Sequence, residues 1–188
     1  MLNIEELSAH RVTTAASSRP ALPLRTAFHR GAIILSGVLA GAIVGTWLSE
    51  ASLGSSAEGW IGYHQAITPA YTQLVPPIGG LALVATLAAL GTSWRSPRAR
   101  RLLLASVGCL FVGMLVTVIV HFPINDQIMT WQPTAPPADW QDIRIQWLTA
   151  HAVRTWVSVV GFVLLVLAFS VRGRGVPAGA AHELRSSR

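Results

Sequence analysis

Residues 140–171 read WQDIRIQWLTAHAVRTWVSVVGFVLLVLAFSV. Asp139, just upstream, suits a helix N-cap, and Asp142 adds negative charge to the first turn. Pro136-Pro137 lies before the segment and no Gly or Pro follows until Gly161, so the pattern predicts one helix over 140–171. At 1.5 Å per residue it is roughly 48 Å long, whereas a bilayer's hydrocarbon core is about 30 Å thick. Its apolar second half, 152–171, reads as a membrane span. Its first three turns are expected to stand above the membrane.

Three further stretches, 31–49, 78–94 and 102–121, are apolar and free of formal charge. Each is long enough to cross a bilayer. Of the 188 residues, 52% are hydrophobic and 12% charged, against about 25% charged in an ordinary soluble domain. Too little polar chain remains to cover four such helices in water. The expected fold is all-α: a bundle of four transmembrane helices over 31–171, with flexible tails at 1–30 and 172–188. The single Cys109 excludes an internal disulfide and a Cys-based zinc site.

The net charge of +6 comes from Arg alone, because the chain has no Lys. Arg11, Arg19, Arg25 and Arg30 precede the first span, and Arg95, Arg98, Arg100 and Arg101 separate the second and third. Arg172, Arg174, Arg185 and Arg188 follow the fourth. Cytoplasmic flanks are enriched in basic residues, so both termini are expected inside, with loops 50–77 and 122–154 outside. The basicity is an orientation signal and calls for no nucleic-acid partner. Ser55-Ser56-Ala57 offers a competing reading of span one as a cleaved signal peptide. The Arg-rich, Lys-free, Ala/Gly-rich composition suggests a bacterial cytoplasmic membrane as the location.

Only Arg144 and Arg154 escape this topological explanation. They share a helix face with Trp140, Trp147 and His151, at spacings of 4, 3, 4 and 3. A core stripe would be aliphatic, and a solvated face would not carry two Trp. Arg154 lies within the apolar run, where a charge needs a partner or a polar cavity; Glu50 and Asp126 are the candidates. A second stripe, Trp60, His64, Thr68, Tyr71 and Val75, predicts a helical first loop, kinked at Pro69 and led into span two by Pro76-Pro77. Pro123 is expected to turn the chain and present Asn125 toward the bundle mouth. Trp47, Trp60 and Trp156 suit an interfacial aromatic belt. Gly37, Gly41 and Gly45 form a small-residue stripe for packing inside the bundle or for homo-oligomerisation.

The segments PINDQIMTW (123–131) and PPADWQDIRIQWLTAHAVRT (136–155) resemble the anthrone oxygenase-like family of small four-helix membrane proteins. Glu50, His64-Gln65 and Pro76 extend the likeness more loosely. The resemblance implies a dioxygen-dependent oxidoreductase acting on an aromatic or hydrophobic small molecule. His151 is then the expected base, since an imidazole pKa of about 6.5 suits proton transfer at neutral pH. Arg144 and Arg154 would stabilise an enolate or phenolate oxygen. Asn125 would orient a carbonyl, and Trp131, Trp140, Trp147 and Tyr71 would hold the rings. No cofactor is required by this scheme. A single Cu or Fe held by His64, His121, His151 and Glu50 is the alternative. A protein that binds a hydrophobic ligand or partner without catalysis is the other reading. Phosphate-binding, nucleophile-elbow and dinucleotide motifs are absent from the sequence.

Overall fold

The computed structural model describes residues 24–54 and 56–172. The outer tail residues, 1–23 and 173–188, expected to be flexible, lie outside the described residues, as do Arg11, Arg19, Arg174, Arg185 and Arg188. The described chain is helical: α1 Leu24–Ser52, α2 Ala57–Gly91, α3 Pro97–Val116, a π-turn Thr117–His121, α4 Phe122–Ile128 and α5 Trp140–Arg172. No strand occurs among the described residues, only an isolated bridge between Gln132 and Ala135. Four helical stretches are long and apolar enough to cross a membrane.

The helices form a square in which neighbours along the ring are α1–α2, α2–α3, α3–α5 and α5–α1. The α2–α3 side packs least closely. Polarity is reversed relative to a soluble bundle. Leu81, Val84, Leu115, Ile119, Val160 and Leu167 are exposed, while Glu50, His64, His121, His151, Arg154 and Ser158 are buried. Lipid offers no hydrophobic drive between such helices, so close packing and hydrogen bonds join them. At the tightest crossing, Ser106 Oγ of α3 donates to Gly161 O of α5 at 2.8 Å. A Cβ on Gly161 would stand 3.0 Å from Cys109 Cβ. In the glycine stripe, Gly37 meets Phe162, while Gly41 and Gly45 face open space.

Proline interrupts the helices less than the sequence suggested. The first span begins at Leu24, seven residues before the stretch bounded by Gly31, so charge-bearing Arg25 and Arg30 are helical. From Ala57 onward the first loop continues into the second span as a single helix of 35 residues running through Pro69, Pro76 and Pro77. Pro123 does not turn the chain either, since it occupies the first turn of α4. Proline costs a ladder donor and its ring crowds the carbonyl four residues back. The preceding π-turn absorbs this, its ladder closing with Phe122 N–H on Thr117 O, five residues back. α5 spans 33 residues, with the extent anticipated.

Above the bundle, α4 and the first turns of α5 close over α2. Trp60, Ile61, Ile124, Ile128 and Trp147 form a buried apolar cap, with Trp131 and Trp140 packed on it. Trp60 is wholly buried and belongs to this cap; it is not an interfacial anchor. Gln65 Nε2 donates to Ile128 O at 2.8 Å and Trp131 O at 2.9 Å, pinning the end of α4 to α2.

Candidate functional site

Beneath the cap, side chains from α2, the π-turn, α4 and α5 meet around the Trp147 indole, with Glu50 of α1 behind His64. His64 and His121 approach it edge-on, at centroid distances of 5.0 and 5.2 Å. His151 stacks on it at 4.7 Å. The indole N–H donates to Asn125 Oδ1 at 2.8 Å, which settles the orientation of that amide. His64 Nε2 lies 3.2 Å from the same oxygen and must therefore carry a proton to bond it. His64 Nδ1 lies 3.1 Å from Glu50 Oε1, so one further proton sits between imidazole and carboxyl. Whichever of the two holds it, Glu50 and His64 together are neutral.

The other two histidines are fixed by groups that can only donate or only accept. Arg154 Nη2 donates to His151 Nδ1 at 2.6 Å. His151 Nε2 then carries the proton and donates to Ile43 O at 3.1 Å. Both nitrogens of His151 are engaged. His121 is the reverse case. Its Nδ1 donates to Val116 O at 3.2 Å, a carbonyl presented by the π-turn. Its Nε2, buried and without a partner, keeps a free lone pair. Glu50 Oε2 is likewise buried and unpartnered.

Those two atoms belong to residues lining one small cavity of about 50 Å³, which Asn125, Tyr71, Trp147 and Arg154 also line. A second cavity of about 220 Å³ adjoins it deeper in the bundle. Ile43, Val75, Pro76, Thr117, Phe122 and Arg154 border both. Arg154 thus stands at the junction, and its other hydrogen bond is Nη1 to Thr117 Oγ1 at 3.3 Å. It makes no ion pair among the described residues. With Glu50 and His64 neutral as a pair, the site carries one net positive charge from Arg154.

The anthrone oxygenase family model matches residues 68–164, just over half of the 188-residue chain. The chain belongs to the anthrone oxygenase family. Nothing among curated proteins matches it, and nothing among solved structures does. In this anthrone oxygenase family member the matched range holds His121, Asn125, Trp147, His151 and Arg154, while Glu50 and His64 precede it.

Several expected placements are corrected by the geometry. His151 does not line either cavity, and its lone pair is taken by Arg154. Arg144 lies outside both cavities. Its Nη2 donates to Leu53 O at 2.8 Å, and its guanidinium lies 5.8 Å from the Trp60 ring centroid. Arg154 pairs with His151 and Thr117 instead of Glu50 or Asp126. Trp131 and Trp140 are spent on the cap, so Trp147 and Tyr71 are the aromatic side chains of that set at the cavity. The oxygen of Asn125 is occupied, leaving its amide N–H₂ for a ligand. Among the described residues, no group of three or more His, Cys, Asp or Glu is arranged to hold a metal ion. The physical reason is that His64 and His151 have both nitrogens committed, leaving one imidazole nitrogen, His121 Nε2, and one carboxyl oxygen, Glu50 Oε2. His121 was expected only as a metal ligand; the free base it presents depends on the Val116 carbonyl, which no residue spacing signals.

Proposed function

We propose that this membrane protein is an oxidoreductase that uses dioxygen to convert an activated ring methylene of a lipophilic aromatic compound to a ketone. The observation that carries the reading is the pair of buried, unpartnered acceptors, His121 Nε2 and Glu50 Oε2, in residues lining a cavity that Arg154 makes positive. In this scheme the rings occupy the larger cavity and the reacting carbon sits at the junction. His121 Nε2 removes a proton from that carbon. Arg154 and the Asn125 amide donate to the developing enolate oxygen, an interaction absent in the neutral reactant and so selective for the transition state. The electron-rich carbon combines with dioxygen, the hydroperoxide takes up the proton, and loss of water as the second C–H proton leaves gives the ketone. The balance is one CH₂ and one O₂ to one C=O and one H₂O.

The family membership supports this chemistry, and the buried polar site within a lipid-facing bundle supports a lipophilic substrate. The excess of Arg on one side of the membrane supports a site at the extracytoplasmic mouth, in a cytoplasmic membrane of bacterial type. The test is oxygen consumption by purified protein with anthrone, followed together with the absorbance of the quinone. His121→Ala is expected to lower the rate at least 100-fold, in line with the roughly 10²–10⁴ of a positioned base. An unchanged rate in His121→Ala overturns the assignment. Stoichiometric binding of anthrone without turnover makes the protein a binding module instead.

A further inference from the structure

The larger cavity lies within the apolar spans and is walled by Leu39 and Ile43 of α1, Val75 and Gly79 of α2, and Leu110 and Met114 of α3. Arg154 supplies its charge and is only 9% exposed. An apolar void of about 150 Å³ suffices for benzene, so about 220 Å³ takes a larger ring system. Val118, which lines this cavity, is 52% exposed on the outer surface of the bundle. The cavity thus shares a wall residue with the surface that meets lipid, and its α2 and α3 walls flank the side where the ring of helices is least closely packed.

One lip carries helix-weakening residues and the other runs into the π-turn. On α2 the lip is Val75-Pro76-Pro77-Ile78-Gly79-Gly80, in which two successive residues lack a ladder N–H and two more lack side chains. On α3 the lip is Met114 to Val118, running into the π-turn. Elsewhere in the ring, α3 and α5 are locked at Gly161. Arg154, which lines the chamber, also has its Nε buried and unpartnered.

We propose that the ligand of this cavity is drawn sideways from the bilayer, through a portal between α2 and α3 whose lips are the Val75–Gly80 run and Val118. The occupant is a flat lipophilic ring system bearing one hydrogen-bonding oxygen for Arg154. The inference deepens the oxidation reading by naming where the substrate comes from, yet its test requires no turnover.

The full chain is reconstituted in lipid nanodiscs, and binding of 1-hydroxyanthraquinone, which is already oxidised, is followed by stopped-flow quenching of tryptophan fluorescence. The association rate is expected to follow probe per lipid when lipid is varied at constant total probe; dependence on aqueous concentration alone overturns the portal. Val118→Trp is expected to slow association and dissociation together at least tenfold with little change in Kd. Gly79→Leu, which fills the chamber, is expected to weaken binding at least tenfold. Gly41→Leu, on the open outer face of α1, leaves both unchanged. Unaltered rates in Val118→Trp, no saturable binding, or equal affinity for anthracene, which lacks the oxygen, each overturn the inference. Binding through the portal without oxidation of anthrone sinks the oxidation reading alone. Oxidation with unaltered rates in the lip variants sinks the portal alone.

Discussion

His121 and His151 lie 5.5 Å apart, ring to ring, and their neighbours give them opposite chemistry. A guanidinium only donates and a carbonyl only accepts, so Arg154 and Ile43 O close both nitrogens of His151, while Val116 O frees Nε2 of His121. Replacing His151 with Phe keeps a ring against Trp147 but leaves Ile43 O and one Arg154 donor unpaired. Each such loss costs about 1–3 kcal/mol. His151→Phe is therefore expected to lower the melting temperature in detergent, with a smaller effect on anthrone oxidation than His121→Ala. Glu50 permits a second contrast. Glu50→Ala strands His64 Nδ1 in a buried site and is expected to cost about 3 kcal/mol. Glu50→Gln keeps a partner there and should recover most of it, measured by the same unfolding. At this scale the sequence was legible for side chains whose type alone carries meaning, such as Arg154 inside an apolar run. It was not legible for hydrogen-bond direction. His151 stood out by its spacing with Arg144 and Trp147, but spacing cannot show which lone pair is already taken.

Helix contacts follow from backbone approach more than from small-residue patterns. The Gly37, Gly41 and Gly45 repeat is conspicuous in sequence, yet Gly41 and Gly45 touch nothing within 4 Å. The demanding glycine is Gly161, isolated in an aliphatic run. Gly161→Ala forces a Cβ against Cys109 Cβ and is expected to destabilise the α3–α5 pair by about 1–3 kcal/mol. Adding Cys109→Gly removes the opposing atom and should restore much of the melting temperature, whereas Gly41→Ala should leave it unchanged. Helix number and the length of α5 were readable from hydropathy and from the absence of breakers. Helix continuity was not. Pro69 read as a kink and Pro123 as a turn by the rules of water-soluble chains. In apolar surroundings a helix that stops would expose backbone polar groups, so it continues through proline with local adjustment. The same adjustment at Pro123 creates the π-turn that orients His121.

Across the whole molecule, charge is distributed by side more than by site. If the Arg-rich ends face the cytoplasm, alkaline phosphatase fused after Arg172 is expected to be inactive and the same enzyme inserted at Gly54 active; the reverse pattern would place the site on the cytoplasmic face. The bundle is otherwise a simple ring of neighbours, and its one structural oddity has a further consequence for chain length. A π-turn uses five residues where an α-turn uses four, which makes it an α-helix holding one surplus residue. Deleting Val118 should let the ladder close as ordinary α-helix, with the flanking α3 and α4 keeping their present rotational phase. The deletion variant is expected to fold and melt near the parent temperature while losing anthrone oxidation. Among relatives, the number of residues between the counterparts of Gly113 and Asn125 then becomes a ruler. A relative one residue shorter in that interval would keep the bundle and lack the free imidazole nitrogen that the surplus residue sets in place.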